Sequence, residues 1–178
     1  MTGARILADL DDKQIQRAVL KLSALGQNML PVARAIGVGL VRNTQDRFRA
    51  GRDPEGHPWH PLKPFTLEHK RGPGILRESA MRGGLMASIA FRADAGAGGA
   101  TVQVGTNKVY GAIHQFGGTI RPKNPKGLLF FRTAGGQVWG AARQVTIPAR
   151  PYLGISREDR ETIQDVLGAF LRRATSGV

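Results

Sequence analysis

Residues 51–66 read GRDPEGHPWHPLKPFT, with four prolines and two glycines in sixteen positions. Each proline removes a backbone donor and fixes φ, so this segment can neither continue a helix nor sit inside a sheet. In the 178-residue chain it follows two helical stretches and precedes a mixed remainder, in which the β pattern begins at Leu85 and a helix closes the chain. Trp59 has a large area to bury and is expected to pin the loop against the body.

Ahead of the loop the pattern is helical. Asp11 or Asp12 can cap a first helix whose apolar residues Ile15, Val19, Leu22 and Leu25 recur at helical spacing, with Gly26 as its stop. Pro31 suits the first turn of a second helix running to about Arg49. Val32, Ile36, Leu40 and Phe48 form its buried stripe, although Gly37 and Gly39 weaken it. Arg42, Arg47 and Arg49 are expected to be its solvated end.

Behind the loop, PFTLEHKR predicts a short helix begun at Pro64 and broken by RGPG. From Leu85 the period shifts to β: one strand to Arg92, the hairpin loop DAGAGG, then ATVQVGT with Val102 and Val104 alternating against polar neighbours. KVYGAIHQF lacks that alternation and predicts a short helix or turn, ended by Gly117 and Gly118. TIRPK, GLLFFRT and residues 138–147 are further strand candidates, with TAGGQ as a turn. IPARPY must be extended, because each proline disfavours helix at the residue before it. Ser156 with Asp159 forms a capping-box pattern ahead of a last helix, whose apolar face is Ile163, Val166, Leu167, Phe170 and Leu171. The expected fold is α+β: an antiparallel β-sheet packed by N-terminal helices and a C-terminal helix, with long Pro/Gly-rich loops. One domain spans 1–178, with a helical extension (1–27), a Trp loop (50–64) and a terminal helix (156–174).

The formal net charge is +13, and its distribution says more than its size. From Ala95 to Arg157 there is no acid, against eight cations: Lys108, Arg121, Lys123, Lys126, Arg132, Arg143, Arg150 and Arg157. Such a field suits a polyanion such as DNA, an acidic protein partner, or simply a solvated surface. Aromatic residues are too few and too scattered for a base-stacking platform, so any DNA contact would be to phosphates. No stretch approaches the roughly 18 uncharged apolar residues of a membrane span. The acidic N-terminus lacks the apolar core of an export signal, and an intracellular assembly site is expected. Without cysteine there is no disulfide framework or thiolate zinc site.

The histidines offer little chemistry. His57 and His60 straddle Pro58 in the loop, His69 would have to supply a third ligand, and no HExxH pattern is present. His114 has no GxSxG partner, and its nearest acids in sequence are Asp94 and Glu158. GAGG lacks the Lys-Ser/Thr that completes a phosphate loop. No catalytic residue, cofactor or metal is expected. His114 reads as a partly buried structural residue bonded to backbone or to a neighbouring subunit.

Three stretches taken in order have a familiar look: FRAGRDPEGHPWHPLKPFTLEHKR from Phe48, YGAIHQFGG after VQVGT, and IPARPYLGIS before the last helix. With ILRESAMRGGLMASI between the first two, the chain resembles the phage virion morphogenesis family, the tail completion proteins of Mu-like and related tailed phages. The resemblance covers about residues 28–175. It implies a structural virion protein, not an enzyme, that completes the tail or joins tail to head as part of a ring, commonly sixfold, around the DNA channel. By motif it marks Trp59, Pro61 and Leu62; Tyr110, His114, Gln115 and Gly117; and Pro148, Arg150, Pro151 and Gly154 as architectural residues. Gly111 stands where the family often has alanine. Expected partners are other copies of the chain, the tail tube or tail terminator, and neck or connector proteins, with transient contact to passing double-stranded DNA. RPKNPKG, with Arg121, Lys123 and Lys126, is the candidate loop facing a partner or DNA. The competing expectation is a sequence-nonspecific DNA-binding protein.

Overall fold

A computed structural model describes residues 12–26, 28–70, 72–77, 84–96, 99–132 and 136–176. Helix α1, Lys13–Ala24, is capped by Asp12, whose carboxylate accepts from the backbone N–H of Gln14 and Ile15 at 2.8 and 3.2 Å. Asp11, the other candidate cap, lies outside the described residues. Gly26, with φ of 66°, stops the helix as expected. Helix α2, Met29–Ala50, starts two residues before Pro31, because the Asn28 side chain accepts from Leu30 N at 2.9 Å. Pro31 therefore falls within the first four positions, whose N–H groups have no partner inside a helix.

The two glycines that weaken α2 in isolation are where other elements press on it. A Cβ on Gly37 would stand 2.2 Å from the Phe91 ring, and one on Gly39 would stand 2.4 Å from Thr162 Cγ2. Each glycine costs about 1 kcal/mol of helix propensity, and close packing offsets it. Val32 and Leu40 join Ile15, Leu22, Ile163 and Leu167 in one core cluster. Phe48 joins Trp59, Leu85, Ile89, Tyr152 and Leu153 in a second. The long second helix thus serves both cores.

Arg47 corrects the sequence expectation for the end of α2. Arg42 and Arg49 are exposed, but Arg47 is buried, held there by an aspartate from the far end of the chain.

Strand β1, Ile89–Gly96, pairs antiparallel with β2, Gly99–Thr106, and both lie against α2. Leu85–Ser88, expected as the start of β1, instead forms a turn and a one-turn 3-10 helix, with Ser88 Oγ donating to Leu85 O at 2.8 Å. Between the Trp loop and this hairpin lies helix α3, Pro64–His69. Helix α4, Gly111–Phe116, follows β2. Strand β3, Gly118–Ile120, pairs with β6, Val145–Ile147, in the register Gly118↔Ile147 to Ile120↔Val145. Within the excursion between them, β4, Leu129–Arg132, pairs with β5, Val138–Ala142. Among the described residues the strands are antiparallel, distributed over three two-stranded ribbons. Helix α5, Arg157–Ser176, packs on α1 and α2. The class is α+β.

Candidate functional site

The three motifs converge on one extended strap, residues 148–156, which runs from β6 to the capping box of α5. From the Trp loop, the Trp59 indole N–H donates to Pro151 O at 2.7 Å. Its ring meets Phe48 edge-on at 5.4 Å, and Phe48 in turn lies 5.1 Å from Tyr152. Arg150 reaches back to the same loop, donating from Nε to His60 O at 2.8 Å and from Nη2 to Pro61 O at 3.1 Å. Burial pulls this guanidinium below the usual arginine range. Pro61 therefore acts through its carbonyl, and Leu62 beside it is half-buried.

From α4, Gln115 treats the strap as a strand treats its neighbour. Its Oε1 accepts from Tyr152 N and Leu153 N, each at 3.0 Å, and its Nε2 donates to Leu153 O at 3.0 Å. The His114 carbonyl accepts from Arg150 N at 2.7 Å, and its ring stands edge-on to Tyr110 with centroids 6.0 Å apart. The Tyr152 hydroxyl donates to Gly111 O at 3.0 Å, and burial pushes its pKa up to about 12. Gly117 closes the helix at φ 71°, where a Cβ would stand 2.8 Å from Ala149 N. A Cβ on Gly111 would stand 2.7 Å from Thr106 Cγ2 and 2.8 Å from the Tyr152 hydroxyl. Glycine at 111 is thus a packing requirement here, and α4 forms despite it.

From α2, Arg47 donates through Nη1 to Tyr152 O at 3.1 Å and Gly154 O at 3.2 Å, and through Nη2 to Asp159 at 2.5 Å. Asp159 completes the capping box: it accepts from Ser156 N at 2.9 Å, and its own N–H donates to Ser156 Oγ at 3.2 Å. Next to it, the Glu158 carboxyl is held below the usual range by its own backbone N–H and then by Ser156. Pro148 is half-buried where the strap begins.

Sequence reasoning missed Arg47 and left Tyr152 out of the candidate set. A signal existed for the arginine: it stands seven residues after Leu40 and one before Phe48, on the apolar stripe. In this cluster most polar groups hold backbone; the exceptions are the Arg47–Asp159 pair and the Ser156 hydroxyl, which also bonds the Glu158 carboxyl. The strap is a built joint.

The other candidates lie apart from it. His57 Nδ1 sits 3.3 Å from Asp53 Oδ2 and 3.6 Å from Glu55 Oε2, the single group with metal-ligand spacing among the described residues. His60 and His69 do not join it, because their rings bond the nearby carbonyls of Pro61 and Phe65 at 2.9 and 3.0 Å. Arg121, Lys123 and Lys126 are exposed, Arg121 donating to Gln144 Oε1 at 3.3 Å. Asn124 organises this loop as a turn, accepting from Lys126 N and Gly127 N at 3.0 and 2.8 Å. No helix among the described residues is long and apolar enough to cross a membrane.

Comparison with known proteins now places the chain. The sequence pattern of the phage virion morphogenesis family matches residues 10–172, and the chain belongs to that family. It is also similar to protein G of Escherichia phage Mu, a protein named for capsid assembly. Identity is 27% over 159 residues, covering 89% of this chain and 88% of the Mu protein. No solved structure matches it. Its role is structural, in building the phage particle together with other virion components.

Proposed function

We propose that the protein completes the phage tail or joins it to the head, as one subunit of a sixfold ring around the DNA channel. The observation that carries this reading is how polar groups are used in the strap. Trp59, Arg150, Gln115 and Tyr152 spend their hydrogen bonds on fixing backbone, and Arg47 divides its own between two strap carbonyls and Asp159. A joint of that kind serves rigidity, which a subunit under load between head and tail requires. The proposed architectural set is Trp59, Pro61, Leu62, Tyr110, His114, Gln115, Gly117, Pro148, Arg150, Pro151 and Gly154. Tail tube, tail terminator and connector proteins are the proposed neighbours, in the virion neck.

Electron microscopy of lysates from a phage with a stop codon at Trp59 tests the role. Filled heads beside free tails would support it, and normal numbers of joined particles would overturn it. The exposed cations Arg121, Lys123 and Lys126 favour one competing reading, nonspecific DNA binding. That reading predicts binding of purified protein to any duplex, falling steeply with salt.

A further inference from the structure

The β4–β5 ribbon has two unlike faces. Directly opposed residues of an antiparallel pair project to the same side. Phe130 with Ala141, and Arg132 with Val138 across the bulge, therefore share one face. All four are exposed, Phe130 at 57% and Val138 at 44%. The other face, Leu129, Phe131, Gly140 and Ala142, is half-buried, and the Phe131 ring reaches 3.5 Å from where a Gly140 Cβ would stand. A lone two-stranded ribbon is marginal in water and calls for a covering layer. Here the open face carries Phe130 and Val138 beside Arg132. Arg143 follows it, and Arg121, Lys123 and Lys126 precede it without an acid between.

A matching surface lies elsewhere on the same chain. Where α2 ends, the Trp loop begins and α5 starts, a cleft of 400 Å³ is lined by Asn43, Asp46, Ala50, Asp53, Glu55 and Glu158, among others. Of its arginines, Arg47 is committed to Asp159 and Arg157 to Glu161; Asp46 pairs with Arg49, which leaves Arg52 with Asp53, Glu55 and Glu158. None of the described residues of 118–147 lines the cleft, so β4 and β5 do not fill the cleft of their own chain.

We infer that the Phe130 face and the Arg121–Gly127 loop of one copy dock in the acidic cleft of a second copy. Charge complementarity selects this occupant: the chain gathers cations without acids on the arm, and the exposed Asp46, Glu55 and Glu158 with the half-buried Asp53 at the cleft. Phe130 supplies the apolar anchor and the basic loop sets orientation. Because arm and cleft are different surfaces, the contact is heterologous and closes into a ring when the rotation allows. The inference deepens the ring reading above and rests on it.

The test uses the full chain and sedimentation velocity. Wild type should sediment as an oligomer. Phe130→Ser on the arm, and Asp46→Lys with Glu55→Lys at the cleft, alter exposed side chains and should leave circular dichroism unchanged. Each should weaken self-association about thirtyfold, as loss of an interface anchor does. Mixed together, the two variants retain one intact arm and one intact cleft, so they should give a dimer and nothing larger. The chain has no cysteine, so oxidising a mixture of Phe130→Cys and Glu55→Cys proteins should give a crosslinked dimer. A monomeric wild type, or an unaltered oligomer in Phe130→Ser, overturns the contact. So does an intact oligomer that has lost only salt-dependent duplex binding, which would turn the arm toward DNA. Phage bearing Phe130→Ser separate the two claims. Unjoined heads and tails with the oligomer intact would sink this contact and leave the joining role standing; joined particles with the oligomer lost would sink the role.

Discussion

Arg47 on α2 and Asp159 on α5 form an ion pair 112 positions apart in sequence, with side chains only 7% and 1% exposed. The pair ties the rigid strap to both long helices, because Arg47 also holds two strap carbonyls and Asp159 caps the helix that follows. Taking one partner from a buried pair leaves the other charge stranded. Arg47→Met should therefore lose about 3–5 kcal/mol in urea unfolding. Arg47→Met with Asp159→Asn should lose less than the single change, because no buried charge remains.

Trp59 contributes both area and a donor. Trp59→Phe should keep most of the contact with Phe48 but leave the Pro151 carbonyl without its donor, costing about 1–3 kcal/mol. Trp59→Ala should cost about 3–5 kcal/mol. Denaturant titration followed by circular dichroism checks the order.

Gln115 is bonded at both ends of its amide, so the two changes available to it should differ. Gln115→Glu keeps the acceptor for Tyr152 N and Leu153 N and loses the donor to Leu153 O. Gln115→Met leaves all three backbone groups without a partner, and each costs about 1–3 kcal/mol. A methionine variant as stable as the glutamate variant would contradict the strand-like role of this side chain.

The strap also predicts an alkaline limit. Tyr152 ionises near 10 when unfolded and near 12 when folded. The unfolded chain thus loses that proton first, so stability falls as pH rises from about 10 to about 12. Melting temperatures of wild type should decline through that window, and those of Tyr152→Phe should decline less.

Gly111 gives a counterintuitive expectation. Alanine there would raise helix propensity by about 1 kcal/mol, yet its Cβ would press on Thr106 and the Tyr152 hydroxyl. Gly111→Ala should lower the melting temperature. A rise would mean that those side chains move aside freely.

What could be read from the sequence was what depends on near neighbours. Asp12, Gly26 and the Ser156–Asp159 box mark helix ends through contacts within a few residues, and all three hold. The extended strap follows from Pro148 and Pro151 alone. Arg47 was misread because an arginine near a helix end is solvated by default, and only a partner 112 positions away reverses that. Residues 138–147 were legible as β but not as two strands, since β5 turns back on β4 while β6 reaches across to β3. Of the strap joint, Trp59, Gln115 and Arg150 were marked by motifs and Arg47 and Tyr152 were not; the hydrogen bonds, which cross between distant segments, were legible for none of them.

The pairing of β3 with β6 brings the two ends of residues 121–144 side by side, at Ile120 and Val145. Whatever happens to that excursion enters and leaves the body through a single doorway. Its length and surface should therefore be open to change with little effect on the strap or either core. If the arm docks as inferred, a grafted arm should carry a new mating preference into an unchanged chassis.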